Sequence, residues 1–329
     1  MRTLALLFSL FFLFAGCTDQ SQPTSQSGTP NSGSAAVEDV GTIGFSALTL
    51  KNPFFKIIAD SITQEAGKHG FEVIVNDAET DVNTQSKHID NYIAQKVTAI
   101  IINPADRVAI GPAIQKANEA GIPVFTCDLQ CVAEDVEIAG HIGTDNYQGG
   151  RLAGEAMIEA LGESGGQVLV LHFKQANSCV ERVRGFMDVV NAHNESDATG
   201  KIEVVAELEG GGLRDQGFRA TADALQAHPE LSGIFAINDP SALGAYTALE
   251  QANKTDQIVI IGFDGQLEGK QAIKEGKIYA DPIQFPKKMG VVSVAKVVQY
   301  LNGEEIEKVE LIPTELYRQA DAEADPELQ

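Results

Sequence analysis

The chain has 329 residues, 43% apolar and 21% charged, an ordinary globular composition whose length favours two domains over one. With 24 basic against 46 acidic side chains its formal net charge is −22, so phosphate chains and anionic membrane surfaces are repelled. That charge leaves nucleic acid off the list of partners, and four cysteines are too few to staple so long a chain, which excludes a small disulfide scaffold.

Met1-Arg2-Thr3 is a short cationic start, and Leu4 to Phe14 is an almost unbroken apolar run. The run is shorter than the roughly 20 residues that cross a bilayer and fits the apolar region of a signal peptide. It ends in Phe14-Ala15-Gly16-Cys17, which resembles the bacterial lipoprotein box, with Phe14 where that pattern usually carries Leu. The resemblance implies a lipoprotein signal peptide over 1–17 and lipidation of Cys17. The alternative is a plain secretory signal with an incidental cysteine. Residues 18–39 follow, and 18–36 are mainly Ser, Thr, Gln, Gly and Pro. Such a segment buries too little surface to offset the entropy of ordering, and it reads as a flexible tether. Lipid, tether and body describe a protein held at a membrane while working outside the cytoplasm.

From residue 40 the pattern alternates. Short apolar runs rich in Ile and Val fall at 41–48, 71–76, 97–102, 122–127, 167–172, 202–207, 232–237, 257–262 and 278–283. Segments of helical period lie between or after them, at 54–69, 84–95, 106–120, 146–161, 181–193, 214–227, 240–252 and 286–302. Continuous apolar strands separated by helices predict parallel sheets covered on both faces, wound with right-handed crossovers. That many strands exceed one doubly wound sheet, so the break at 141–146 (HIGTDN) reads as the first crossing between two lobes. The fold class expected is α/β, with two doubly wound parallel-sheet lobes.

In open parallel sheets, ligands sit beyond the carboxyl ends of the strands. Asn52, Asn103, Asp128, Asn238 and Asp264 stand at those ends or in the loops after them. An amide offers donor and acceptor on one plane, and a carboxylate accepts from paired hydroxyls, the chemistry a neutral polyhydroxy ligand needs. Phe54 and Phe55 follow the first strand end and would pack on the C–H face of a sugar ring. The plainer alternative makes the Asn and Asp residues helix caps and the two phenylalanines core.

The stretches KNPFFKIIADSITQEAGKHGFEV (51–73), AIIINPAD (99–106), AGIPVFTCD (120–128), HIGTDNYQGGRLAGE (141–155), AINDPSALGAYTAL (236–249), VIIGFDG (259–265) and IQFPKKMG (283–290) resemble the ribose-binding group of bacterial solute-binding proteins that feed ABC importers. The resemblance runs over about 40–320. It implies the type I periplasmic binding protein fold, with a three-strand hinge joining lobes over 40–144 plus 285–313 and 145–284 plus 314–329. It implies a monosaccharide or polyol clamped between them, a permease as partner, no cofactor, no catalysis and a monomer. Carried over by position, the ligand residues are Asn52, Phe54, Phe55, Asn103, Asp128, Asn238, Asp264 and Gln284. Three positions depart from the ribose pattern: Leu129 and Val180 stand where arginines belong, and Gly212 where an aromatic wall belongs. The loops offer Gln130, Lys174, Gln175, Asn177 and Arg214 as substitutes. Ribose itself is therefore in question, since an unpaired buried sugar hydroxyl costs roughly 1–3 kcal/mol.

Cys127, Cys131 and Cys179 remain after lipidation. The resemblance places Cys131 and Cys179 on loops near the cleft, where a bond between lobes would lock the hinge; a local Cys127–Cys131 link or free thiols are the readings kept. The histidines form no metal-ligand set, and His141 and His172 at strand ends are the two that merit inspection. Gly210-Gly211-Gly212 precedes a helix and reads as a loose loop, with a phosphate cradle as the alternative. The charged tail 321–329 reads as a solvated end. Competing functions are a repressor's effector domain, which the adverse charge and signal-like start oppose, and a sugar-modifying enzyme, which no nucleophile–base pair supports. Presentation of bound solute to a chemoreceptor or sensor kinase is compatible with transport.

Overall fold

The first crossover sets the pattern for the rest. Apolar β1 (Gly41–Ala47) leads through a loop to α1 (Pro53–Lys68), which Asn52 caps by accepting from Phe54 N at 3.0 Å. The chain then returns parallel to β1 as β2 (Phe71–Asp77). The structure is a computed structural model that describes residues 40–329, all within the compact unit Val37–Gln329. Cys17, the signal peptide over 1–17 and the tether over 18–39 lie outside the described residues.

The same unit repeats. α2 (Val82–Gln95), β3 (Ala99–Ile102), α3 (Gly111–Glu119), β4 (Val124–Cys127) and β5 (Gly140–Thr144) complete the first run. The second run is α4 (Asn146–Leu161), β6 (Gly166–His172), α5 (Asn177–Glu195), β7 (Ile202–Glu209), α6 (Arg214–Ala227), β8 (Leu231–Ala236), α7 (Asp239–Ala252), β9 (Val259–Ile261), α8 (Leu267–Lys274) and β10 (Ala280–Ile283). The chain closes with α9 (Pro286–Leu301), β11 (Val309–Ile312), β12 (Glu315–Arg318) and α10 (Gln319–Ala324). Two six-stranded sheets result, ordered β11-β5-β4-β3-β1-β2 and β12-β10-β9-β8-β6-β7. The pairs are parallel except β10–β12, which is antiparallel.

Alternation along each strand assigns the two faces. Ala99 and Ile101 pack with α1 and α9, while Ile100 and Ile102 pack with α2 and α3. In the second sheet Leu169 and Leu171 face α6, α7 and α8, and Val168 and Val170 face α4 and α5. Both sheets are thus buried on both sides, which is why their strands read as continuous apolar runs.

Three crossings join the sheets, at 144–146, 283–286 and 312–315. Asp145 N donates to Ile312 O at 2.9 Å, Thr144 Oγ1 donates to Gln284 Oε1 at 2.5 Å, and Thr314 donates through N and Oγ1 to Gln148 Oε1 at 3.0 and 2.7 Å. The crossings are one hydrogen-bonded bundle.

The structure corrects several expectations. β5, β11 and β12 fall outside the apolar runs expected from the sequence, β5 because glycines and a histidine interrupt it and β11 and β12 because charged residues do, and α8 and α10 fall outside the expected helices. The helix expected at 106–120 begins at Gly111, because Asp106 Oδ1 accepts from Val108 N and Ala109 N and holds a turn. The helix expected at 181–193 begins at Asn177, so Cys179 lies inside α5 and not on a loop. The tail is docked, not solvated: Ala322 is fully buried, and Asp325 Oδ2 accepts from Lys270 Nζ and Tyr317 OH at 3.0 and 2.8 Å.

Candidate functional site

The carboxyl ends of both sheets carry polar side chains that fold back into the protein. After β3, Asn103 is fully buried and donates through Nδ2 to Cys127 O at 2.6 Å. Cys127 ends β4, so this bond sets Asn103 beside the next residue, Asp128. The Oδ1 atoms of Asn103 and Asp128 are both buried and without a hydrogen-bond partner among the described residues. Natural folds rarely tolerate that, since each such atom costs about 1–3 kcal/mol.

From the second sheet comes Arg182, on α5. Its Nε donates to Asn146 Oδ1 at 2.8 Å, and its Nη1 donates to Ile237 O at 2.6 Å and Asp264 Oδ1 at 2.9 Å. The guanidinium lies 3.8 Å from the centre of the Phe263 ring. Both Nη2 hydrogens are left without an acceptor among the described residues. Asp264 also accepts from Gln284 Nε2 at 2.5 Å and from Gln266 Nε2 at 3.3 Å, which ties it to the crossing at 283–286. Close packing of α4 on α5 makes this placement feasible. A Cβ on Gly150 would stand 2.0 Å from Arg182 O, and one on Gly185 2.1 Å from Tyr147 O.

Asp128 and Asp264 share two further properties. Both adopt left-handed backbone, at φ 62° and 104°, a strained conformation for a residue with a side chain. The Asp128 carboxyl also feels Asp264 across the lobes. Burial pushes the Asp128 carboxyl up to about 7, with Arg182 pulling it down and Asp264 adding to the rise. Burial likewise raises Asp264, against Arg182 and the two glutamine donors. A carboxylate of the first lobe thus faces an arginine and a carboxylate of the second.

The remaining sequence candidates are distributed around this centre. Asn238 caps α7, with Oδ1 accepting from Ser241 N and Oγ, and its Nδ2 donates to Gly212 O at 3.1 Å. Asn52 caps α1 and keeps its Nδ2 without a partner among the described residues. Phe54 and Phe55 are buried in the first-lobe core, edge to face with centroids 5.4 Å apart. Leu129 is half-buried against the same core, and Val180 is half-buried in the first turn of α5. Gln130 Oε1 accepts from Asn177 Nδ2 at 3.0 Å. Arg214 is held at the surface by Glu268, and Lys174 stands 3.6 Å from Glu207. Gly210 N and Gly211 N both donate to His172 O, so the triple glycine is a hydrogen-bonded turn and not a loose loop. A Cβ on Gly212 would lie 3.9 Å from the Phe173 ring, which places an aromatic from the end of β6 beside that turn. His141 is buried on β5 with Nδ1 2.9 Å from Thr126 Oγ1, and burial lowers its pKa to about 4. His172 Nδ1 accepts from Phe173 N at 2.7 Å. Cys127, Cys131 and Cys179 are free thiols, the second of the two readings kept for them.

Arg182, Asn146 and Phe173 are the residues that sequence reasoning missed. Arg182 left a readable signal, for it sits among Cys179, Val183, Phe186 and Val190 on the buried face of α5. A charged residue on such a stripe needs partners, and partners mark a site.

Comparison with known proteins agrees with this architecture. The family profile described as periplasmic binding protein domain matches residues 43–305. The ribose import binding protein of Bacillus subtilis is 33% identical over 314 residues, 95% of this chain and 97% of that protein. The D-apiose import binding protein of Paraburkholderia graminis is 32% identical over 250 residues, 76% of this chain and 78% of that protein. Among solved structures, an ABC transporter solute binding protein from Bacillus halodurans with bound myo-inositol superposes with a TM-score of 0.78 at 28% identity, covering 89% of this chain and 98% of its own. On the breadth of the profile match and the length of these alignments, the chain belongs to the periplasmic binding protein domain family.

Proposed function

We propose that this chain is the extracytoplasmic solute-binding component of an ABC importer, and that it holds an uncharged monosaccharide or polyol between its lobes. One observation carries the reading: Asn103 Oδ1 and Asp128 Oδ1 are buried and unpaired on one lobe, opposite the spare Nη2 donors of Arg182 on the other. Sugar hydroxyls donate to the first pair and accept from the second, and a neutral ligand leaves the Arg182–Asp264 contact intact. The names of the relatives, import proteins for ribose and D-apiose, point the same way. We take the lobes as 40–144 plus 285–313 and 145–284 plus 314–329, in line with the partition of strands between sheets. The crossings then act as a hinge. A ligand that touches both lobes only when they are closed shifts the population toward that form, whose surface the permease reads. Lipidation at Cys17 would tether a monomer to the membrane.

A thermal-shift panel of pentoses, hexoses, deoxy sugars and polyols tests the reading, because a true ligand raises the melting temperature by mass action. With a binder in hand, Asp128→Ala and Asn238→Ala each lose about tenfold or more in affinity by calorimetry while remaining folded. Silence across the panel, or full affinity in both variants, overturns it.

A further inference from the structure

Beside Asn238 in the chain, and beside Pro282, whose carbonyl accepts from Asp264 N at 3.2 Å, stands a pair of acids that no ligand role uses. Asp239 opens α7, one residue after Asn238, and Asp281 lies on β10. They are 1% and 0% exposed, and no Lys, Arg or His of the described residues makes an ion pair with either. Asp239 Oδ2 accepts from Gln266 N at 2.6 Å. Its Oδ1 and both oxygens of Asp281 have no donor among the described residues.

We propose that Asp239 and Asp281 share one proton, carried on Asp239 Oδ1 and given to a carboxylate oxygen of Asp281, and that this bond positions Asn238 and Asp264 for ligand. Two ionised carboxylates side by side in a dry interior are each other's worst neighbour, whereas an acid and a carboxylate make a strong O–H···O bond. The surroundings are shaped for such a pair. A Cβ on Gly262 of the turn after β9 would stand 2.3 Å from Asp281 Oδ1, and one on Gly269 of α8 would stand 2.0 Å from Asp239 Oδ1. Glycine at both places lets the backbone close over the acids.

The charged groups around the pair leave it no other means of neutralisation. The buried face of α4 that packs on β10 includes Gly149, Ala153 and Met157 and carries no charge there. On β12 the register partner of Asp281 is Tyr317, whose hydroxyl is committed to Asp325. On α8, Lys270 is committed to Asp325 and Glu327. Asp264, on the loop after β9, is a third carboxyl acting on both acids and raises each, and its own cation is Arg182. Burial is the largest cause of the rise in both, and Asp281 adds to that of Asp239, which goes furthest.

The link to the site is covalent on one side and hydrogen-bonded on the other. Asn238 precedes Asp239 in the chain, and Gln266, anchored by Asp239 Oδ2, in turn donates to Asp264 Oδ2. The shared proton stands whether or not the cleft takes a sugar; the positioning of Asn238 and Asp264 for ligand rests on that reading of the cleft.

Infrared spectroscopy of the ligand-free protein at about pH 7, where ordinary aspartates are fully ionised, tests the proton directly. The carbonyl-stretch band of a protonated carboxylic acid is expected in the wild type, beyond what Asp128 with its pKa of about 7 supplies, and is reduced by one full carboxyl in Asp239→Asn. Asp281→Asn, which keeps an acceptor in place, retains the band at a shifted frequency. Melting curves from about pH 5 to 9 supply the second readout: the wild type loses melting temperature as the proton leaves, and Asp239→Asn loses less. A wild-type spectrum without that band, or one that Asp239→Asn leaves unchanged, overturns the proposal. Should that variant not fold, an Asp281→Asn band at the wild-type frequency overturns it equally. For the positioning, calorimetry with the best binder of the sugar panel should show at least a threefold loss in Asp281→Asn; unchanged affinity beside an intact band would remove that half alone.

Discussion

Asn177, the first residue of α5, donates through Nδ2 to Oε1 of Gln130 at 3.0 Å, and the two belong to different sheets' loops and helices. The same amide accepts at Oδ1 from Arg107 Nη1, 3.2 Å away in the loop after β3. One side chain therefore receives two partners from the first lobe, independently of the three crossings. A bond that exists only when the lobes are together contributes to closure without touching ligand. Each is worth about 0.5–1.5 kcal/mol, so Asn177→Ala should weaken ligand binding roughly tenfold. Small-angle scattering of the ligand-free variant should give a larger radius of gyration. Wild-type affinity together with an unchanged radius would show that this amide does not bias closure.

Asp128 gives a pH dependence with two opposite signs. Burial holds its folded pKa at about 7, above the ordinary 3.8. An acid raised on folding contributes stability that is complete below the unfolded value and is lost as pH rises through the folded one. Asp281, raised to about 6, acts in the same direction. The ligand-free protein should therefore melt higher near pH 5 than near pH 8. Ligand affinity should run the other way, because ionised Asp128 accepts from two hydroxyls and its protonated form from fewer. Melting curves with and without sugar across this range check both slopes, and a ligand-induced shift that grows toward acid pH would contradict the role given to Asp128.

How much of this was legible beforehand depends on what each residue does locally. The Ile- and Val-rich runs that became β1, β3, β6 and β8 announce themselves because both faces of a parallel strand are apolar. β5 (GHIGT) does not, since two glycines and a histidine break the run and its strand character comes from pairing with β4 and β11. β12 (ELYR) sits antiparallel at a sheet edge, where exposed charge is tolerated. Asn103 and Asp128 were visible as polar residues ending apolar strands. Arg182 was hidden by register: the family pattern directed attention to Val180, two residues earlier, and only the helix's burial stripe reveals where the cation goes. The acid pair of Asp239 and Asp281 lies 42 residues apart in sequence, and nothing but the fold brings them together.

Arg182 is the residue whose loss should cost most. Removing one partner of a buried ion pair leaves an uncompensated charge and typically costs about 3–5 kcal/mol. Here Asp264 would be stranded beside Asp239 and Asp128, and the packing of the guanidinium on Phe263 would go as well. Arg182→Ala should lower the melting temperature by roughly 10 °C. Arg182→Met combined with Asp264→Asn should recover part of that loss, because the charge and its partner leave together. Equal melting temperatures for Arg182→Met alone and for that double variant would indicate that stranding Asp264 is not what the loss of Arg182 costs.

The three thiols of the described residues differ in what surrounds them. Cys127 and Cys179 are buried, and burial pushes their thiols up to about 12 and about 11. Cys131 is only half-buried, in the loop after β4, and its thiol is raised as well. Reactivity follows both the thiolate fraction and access, so solvent reach decides among them. An aromatic disulfide reagent applied to the native protein near neutral pH should label Cys131 and spare the other two, with all three responding after denaturation. Bound ligand should not slow Cys131, because its side chain packs against the apolar cluster of Ile89, Ile100, Ile102 and Ile114 and not against the polar centre. Two residues protected together from every reagent until a reductant is added would instead identify a Cys127–Cys131 disulfide, and labelling of Cys179 in the native state would mean that the α4–α5 packing opens far more readily than its close glycine contacts imply.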